Sequence, residues 1–419
     1  MSAAAARRRK QLAKKAALNS NSDPITDRMN SLLNTDEKVD ESIAYEALQL
    51  AQSQVRRHVK SGEYEKATLV FGYDVSMILL QKHARISVAS QHLALLAQVL
   101  KETHTVCDAK WIQRIVDIDK AYLNALDSIS KDDMEDGERA RLMRLHLKFL
   151  KSALSYSEIL GNIRHGALEI HKLIGDQSWR LAKIAQDNSS SSTTTQESSN
   201  TTTPQEEDDE DGQTMSVTGL KCDAITHLAL AEKPNDILEL LRTLPKPTRA
   251  EITANHDCSP ALRDELLTRA NLVFLSVQNL RDAHTLITTY VNTIEERTSS
   301  DLKKSYMSKT DGKAPSHAVF NSMLFEICRK DKKTGPLYNW LLRSFSTSEL
   351  EKMYKPELLK GYTAKIGRVY FDIQPPPSML ATIENMMSMM GGGPAGGMAG
   401  GGINPAMMQA MMGGGGMGR

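Results

Sequence analysis

Cysteine is scarce and scattered in this chain: Cys107, Cys222, Cys258 and Cys328 stand far apart and none belongs to a CxxC pair. That spacing excludes zinc ribbons and thioredoxin-type chemistry, and it fits a reducing compartment. A surplus of charge is missing too. A formal net charge of +1 gives no global pull toward nucleic acid, so any electrostatic partner has to be met by a local patch. Nowhere does an apolar run reach the length of about 20 residues that a membrane-spanning helix needs, so no direct membrane insertion is expected. The opening stretch "MSAAAARRRKQLAKKAAL" has basic residues but no apolar core behind them, unlike a secretory signal. In a chain that stays in the cytosol, the Asn-x-Ser/Thr matches at Asn188 and Asn200 are accidents of a Ser/Thr tract.

The signatures of common enzymes are absent as well. There is no GxxxxGK[ST] loop, no GxGxxG after a strand, no GxSxG elbow and no HExxH. His165 and His171 are the nearest thing to a ligand pair, but six residues apart on a helix they fall on different faces and read as packing or solvent residues. No catalytic, cofactor or metal site is expected. Alternating β-branched runs with hairpin turns are missing too, so strands are not expected.

Helical periodicity is abundant. Ile43, Ala47, Leu48, Ala51, Val55 and Val59 recur at intervals of three or four and make one apolar stripe. Gly62 then stands where a helix C-terminus takes a left-handed residue. A second helix follows at once, with Tyr64, Ala67, Val70, Phe71, Val75, Ile78 and Leu79 as its expected inner face. Two amphipathic helices joined this tightly pack antiparallel. The same grammar returns in "ISVASQHLALLAQVLKETH" with "CDAKWIQRIVDIDKAYLNALDSI", again in "ERARLMRLHLKFLKSALSYSEIL" with "GALEIHKLIGDQSWRLAKIA", and from "CDAITHLALAEKPNDILELLRTL" onward. The expected fold is all-α, a TPR-like α-solenoid of stacked antiparallel helix pairs.

Composition divides the chain into five pieces. Residues 1–40 are a polar, basic arm expected to be disordered, with Arg7, Arg8, Arg9, Lys10, Lys14 and Lys15 as a solvated tail or a nuclear address. Residues 41–185 are the first half of the solenoid and 219–377 the second. Between them, 186–218 is a Ser/Thr-rich segment with an acidic run from Glu206 to Asp211, too poor in apolar surface to offset the entropy of ordering. It reads as a long loop within the solenoid, because helix pairs appear on both sides. After "QPPPS", residues 378–419 carry eleven of the 20 methionines and thirteen of the 25 glycines, a flexible tail of soft apolar side chains.

Three elements, in order, resemble a known family. In "AYEALQLAQSQVRRHVKSGEYEKATLVFGYDVSMILLQKH" they are a YEAxQ element (Tyr45, Glu46, Ala47, Gln49), an Arg-rich helix end (Arg56, Arg57) and a G-x-Y-x-x-A turn (Gly62, Tyr64, Ala67). "RANLVFLSVQNLRDAHTLITTY" carries an N-L-R-D-A turn at Asn279 to Ala283, and "YTAKIGRVYFDIQPPP" a closing segment with Ile366, Gly367, Tyr370 and Phe371. Over 41–377 this ordered set is similar to the Golgi-to-ER traffic protein four family. Where that family has a His-Gly-Gln turn, this chain reads "KHARIS".

The resemblance implies a non-catalytic adaptor in post-translational targeting of tail-anchored membrane proteins. Such an adaptor joins a targeting ATPase, at the N-terminal repeats, to a ubiquitin-like-domain protein or related scaffold, at the C-terminal repeats; a co-chaperone and the tail-anchored clients are indirect partners. On that basis Tyr45, Glu46, Gln49, Arg56, Arg57, Lys60 and Tyr64 are the expected ATPase contacts, a cationic helix end suited to an acidic face. Phe320, Leu324, Phe325, Leu337, Trp340 and Leu341, in two short helices near the solenoid terminus, are the expected anchors for the second partner. Met407, Met408, Met411 and Met412, in an Asn-Pro-plus-Met pattern similar to client-binding helical modules of co-chaperones, are expected client contacts. The other reading is a TPR-like scaffold subunit of a proteasome-lid or vesicle-coat type assembly.

Overall fold

A computed structural model describes residues 23–35, 37–129, 136–191, 216–244, 262–294, 316–330, 332–346 and 349–374, with the single positions 300 and 304. No strand occurs among the described residues. The fold is an all-α solenoid. Its first half comprises α1 (Pro24–Leu33), α2 (Glu41–Ser61), a π-helical segment (Lys66–Asp74) continued by α3 (Val75–Gln81), α4 (Ile86–Glu102), α5 (Ala109–Asp127), α6 (Asp136–Leu160) and α7 (Leu168–Ser191). The second half comprises α8 (Val217–Leu230), α9 (Pro234–Thr243), α10 (Leu262–Ser276), α11 (Leu280–Thr293), α12 (His317–Arg329), α13 (Gly335–Ser346) and α14 (Pro356–Phe371). These helices lie in one compact unit, Met1–Ile373; Gln374–Arg419 is a second, of which only Gln374 is described.

Helix ends follow local chemistry. The Asp108 carboxylate accepts the Trp111 N–H at 2.9 Å to start α5, and the Asn279 side chain accepts the Asp282 N–H at 3.1 Å to start α11. At the end of α2, Gly62 has φ 78°, the Glu63 N–H reaches the His58 carbonyl at 2.9 Å and the Gly62 N–H reaches Val59 at 3.2 Å. This is a Schellman cap, and only glycine takes that φ without a Cβ penalty.

Helices two apart in sequence touch: α2 with α4, α3 with α5, α4 with α6, α5 with α7, and later α8 with α10, α9 with α11 and α10 with α12. That alternation is the packing of a two-layer stack. The stripe of α2 is buried at Ala47, Leu48, Ala51 and Val55, with Ile43 and Val59 half-buried at its ends.

The second helix departs from its expected inner face. Ala67, Phe71, Val75 and Leu79 are buried and Ile78 half-buried, but Tyr64 and Val70 are exposed. The backbone is π-helical over Lys66–Asp74, so hydrogen bonds run i to i+5 and a spacing of three or four residues no longer marks one face. Packing against α4 accompanies that winding. His92, wholly buried and held neutral by desolvation that lowers its pKa to about 4, donates Nε2–H to the Phe71 carbonyl at 2.6 Å. Gly72 lies so close to α4 that a Cβ would stand 2.7 Å from Leu96 Cδ1.

The turn "KHARIS" is closed by other means than glycine. Ala84 takes φ 52°, a conformation that costs an L-residue about 1–2 kcal/mol. Its neighbours hold it in place: His83 donates Nε2–H to the Leu33 carbonyl at 2.9 Å, and the Arg85 Nε–H reaches Val39 at 2.7 Å.

The two halves join at α7 and α8, the most extensive helix contact of the fold. α7 runs to Ser191, past the expected start of the insert at residue 186, and α8 begins beyond the segment 192–215 that lies outside the described residues. Along α7, Ile170, Ile174, Leu181 and Ala182 belong to the first core, while Trp179 belongs to the second with Cys222, Ala224, Ile225 and Leu228 of α8. A Cβ at Gly175 would stand 2.7 Å from Leu228 Cγ and 3.1 Å from the Ala224 carbonyl oxygen, so the helices meet backbone to side chain there.

Beside that contact the Nδ1 atoms of His171 and His227 lie 2.8 Å apart. The His171 Nε2 faces the His165 carbonyl at 2.6 Å and so carries a proton, which leaves its Nδ1 as acceptor and makes His227 Nδ1–H the donor. Sequence spacing placed His165 and His171 on different faces of one helix; His165 instead sits in the turn before α7 and meets His171 through its backbone. Burial first, then the neighbouring His171 and Lys151, push His227 down to about 3, and burial lowers His171 as well.

Two outcomes are expected from this seam. Gly175→Val drives a branched side chain into Leu228 and lowers stability by about 1–3 kcal/mol, read from a shifted denaturation midpoint. His227 binds its proton more weakly folded than unfolded, so stability falls as pH drops below the ordinary value of 6.5 and the loss levels off near 3. Midpoints measured across that range show this slope, and His227→Gln flattens it.

Candidate partner-binding surfaces

The C-terminal half of α2 presents a shallow open depression lined by Gln49, Gln52, Ser53, Arg56, Arg57 and Lys60. Helical spacing puts Gln49, Ser53, Arg56 and Lys60 on one exposed face, at intervals of three or four. Within this group the cations are not equivalent. Arg57 Nη1 pairs with Asp23 Oδ2 at 2.6 Å, and the same carboxylate oxygen accepts Gln54 Nε2 at 2.5 Å. Glu46 is spent in a similar way, on Arg28 of α1 at 2.5 Å. These two bridges fasten α1 across α2. Arg56 and Lys60 are exposed and form no ion pair among the described residues.

The two tyrosines separate. Tyr45 is half-buried, and its hydroxyl accepts a hydrogen bond from Gln91 Nε2 of α4 at 3.2 Å. Tyr64, 46% exposed, opens the second helix beside Glu63. The Lys66 ammonium, 2.5 Å away, holds the Glu63 carboxyl below its usual range, and His58 lies 3.5 Å from the same group. Of the seven residues singled out on this end, Gln49, Arg56, Lys60 and Tyr64 offer free exposed groups. Arg57 and Glu46 hold α1, and Tyr45 leans on α4.

At the other end, α12 and α13 sort the six expected anchors into two classes. Phe320, Leu324, Phe325 and Leu341 are core side chains: Phe320 stacks on Phe345 with ring centroids 3.9 Å apart, and Phe325 packs against His284 at 5.2 Å. A partner could reach these four only by opening the helix pair. Leu337 and Trp340 are 54% and 50% exposed, three residues apart on the outer face of α13. Sequence reasoning passed over Leu358 of α14, also exposed. The stripe Leu359, Thr363, Ile366 marks it as facing outward, since it lies off the buried positions.

Met407, Met408, Met411 and Met412 lie outside the described residues, as do the basic arm through Lys15 and the acidic run Glu206 to Asp211. Among the described residues no group of three or more His, Cys, Asp or Glu is placed to hold a metal ion, and Cys107, Cys222 and Cys328 are buried free thiols. Burial pushes all three thiols up, Cys107 to about 11 and the others to about 12, which makes them poor nucleophiles. No described helix is long and apolar enough to cross a membrane.

Comparison with known proteins gives one family. No curated protein matches the chain. Among solved structures, the crystal structure of C. therm. Get4 is similar at 17% identity, covering 89% of this chain and 98% of that one, with a TM-score of 0.44. The model of the family described as Golgi to ER traffic protein 4 matches residues 61–392. That span takes in the helix pairs from the end of α2 through α14 and is well over half of the sequence, so the chain belongs to the Golgi to ER traffic protein 4 family, helical adaptors of the pathway that targets tail-anchored proteins.

Proposed function

We propose that this chain is a non-catalytic bridge between two components of that pathway. The N-terminal half, residues 41–185, takes a targeting ATPase through Arg56 and Lys60, flanked by Gln49 and Tyr64. The C-terminal half, residues 219–377, takes a ubiquitin-like-domain protein or related scaffold through Leu337 and Trp340. The observation that carries the reading is the contrast between the two exposed surfaces. One is cationic and polar, with two charges that nothing among the described residues neutralises; the other is an apolar pair with an aromatic anchor. Glu46, Arg57 and Tyr45 belong to the first surface as supports, since they fix α1 and the face of α2 from behind. ATP hydrolysis belongs to the partner, and the adaptor works in the cytosol, where tail-anchored clients are handed on. Met407, Met408, Met411 and Met412 are proposed to touch those apolar clients during transfer, because unbranched methionine adapts to irregular apolar surfaces.

Charge reversal and apolar truncation separate the two surfaces. Arg56→Glu with Lys60→Glu weakens binding of the ATPase by about tenfold or more and leaves the ubiquitin-like protein bound. Leu337→Ser with Trp340→Ala does the reverse. Titration of each purified partner against each double variant measures this, with thermal midpoints confirming that both variants fold. Equal loss of both partners from one variant, or no loss from either, would contradict the reading.

A further inference from the structure

A third exposed patch lies where two turns and α14 come together. The α4–α5 turn meets the end of α6 through a backbone bond from the Cys107 N–H to the Leu160 carbonyl, 3.0 Å long. Beside that bond stand Val106 and Ile159, each 65% exposed, and three residues past Leu160 is Ile163 at 44%. β-branched aliphatic side chains left this open on adjoining turns form an apolar strip with no covering element among the described residues. Cations continue it. Arg164 and His165 follow Ile163 in the α6–α7 turn, and Lys365 of α14 comes close enough that its pKa is lowered, by burial first and then by Arg164. His165 is lowered by burial, by Lys365 and by Arg164, and raised by Glu158, the acid that faces it. Neither Arg164 nor Lys365 forms an ion pair among the described residues, although two like charges so placed repel one another.

An apolar strip bordered by mutually repelling, unneutralised cations has a definite complement. We infer that Val106, Ile159, Ile163, Arg164 and Lys365 form a docking surface for an amphipathic segment of a partner protein whose apolar face is flanked by carboxylates. Leucine-type side chains cover the three aliphatics, and acidic side chains relieve the repulsion between Arg164 and Lys365. An anionic bilayer would suit the cations too, but it presents phosphates everywhere and would press Glu158, adjacent to Ile159 and exposed, against them, whereas a peptide segment can set its carboxylates on Arg164 and Lys365 and leave Glu158 uncovered. The surface is separate in sequence from Arg56 and Lys60 and from Leu337 and Trp340, and it stands whether or not the bridging assignment does.

The full chain is titrated, by fluorescence anisotropy, with a labelled helical peptide bearing leucines at i, i+3, i+4 and i+7 and glutamates elsewhere. Its lysine counterpart and phosphatidylserine-containing liposomes serve as the other probes. Saturable binding of the acidic peptide alone is expected. Arg164→Glu with Lys365→Glu weakens it about tenfold, Ile159→Ser with Ile163→Ser does likewise, and Glu158→Lys tightens it. All five positions are on or near the surface, so circular dichroism stays unchanged. Absence of binding, equal binding by the charge-reversed variant, or retention on liposomes through the same residues would overturn the inference, the last in favour of a membrane surface.

Discussion

The second half of the solenoid depends on one helix that has no outer face. Every residue of α10 from Glu265 to Ser276 is buried, because α8, α11, α12 and α14 all pack against it. Such a helix has to find partners for its polar groups inside the fold. Glu265 and Arg269, 3% and 1% exposed, lie 3.4 Å apart, and both reach the same backbone residue: the Glu265 carboxylate accepts the Tyr354 N–H at 2.7 Å, and Arg269 donates to the Tyr354 carbonyl, while the Cys222 thiol lies 3.7 Å from the same Glu265 oxygen. A buried pair of this kind adds little net stability against an apolar replacement, but removing either member strands the other charge. Its consequence is positional. It pins the segment before α14 to the centre of the half, as Thr268 and Asn271 pin α12 through His317 and Asn321. The exposed Leu337 and Trp340 on α13 therefore stand on a helix, α12, whose seat is fixed by hydrogen bonds and not by apolar contact alone.

This arrangement marks where reading the sequence stops. Periodicity is a local signal, and it located the helix pairs, the Gly62 cap and the stripe of α2 because each is decided within about one helix length. Glu265 and Arg269 are separated by four residues, the spacing of an ordinary solvated surface pair, and nothing nearby says that both are buried. Phe320, Leu324 and Leu341 give the same difficulty with the opposite sign. Aromatic and aliphatic side chains at the end of a solenoid suggest a partner surface, yet these three fill the space over α10 and α13 while Leu337 and Trp340, of the same chemistry, face out. Tyr64 and Val70 were lost for a different reason, since a π-helical turn changes the phase of a pattern that assumes α geometry. What signals that winding is tertiary: His92 and Leu96, some twenty residues away, set the approach of α4.

The bridge proposed above would need its two ends held at a constant relation, and the α7–α8 contact joins the two halves that carry them. Side chains of α7 enter both cores, and Lys172 reaches Asp176 on its own helix and Asp236 on α9, at 3.0 and 3.3 Å, while Lys151 of α6 reaches Asp223 of α8 at 3.3 Å. Partly exposed pairs like these are weak, about 1 kcal/mol or less each, so the holding force has to come from packing at Gly175 and from the part-buried imidazole pair. An interior packed to crystal-like density resists small displacements, and a void or an overlap of a fraction of an ångström is felt along it. The polar contacts then set register while apolar contact supplies rigidity. On this division of labour, what the chain would contribute to the bridging proposed above is a fixed distance between a cationic helix face and an apolar one.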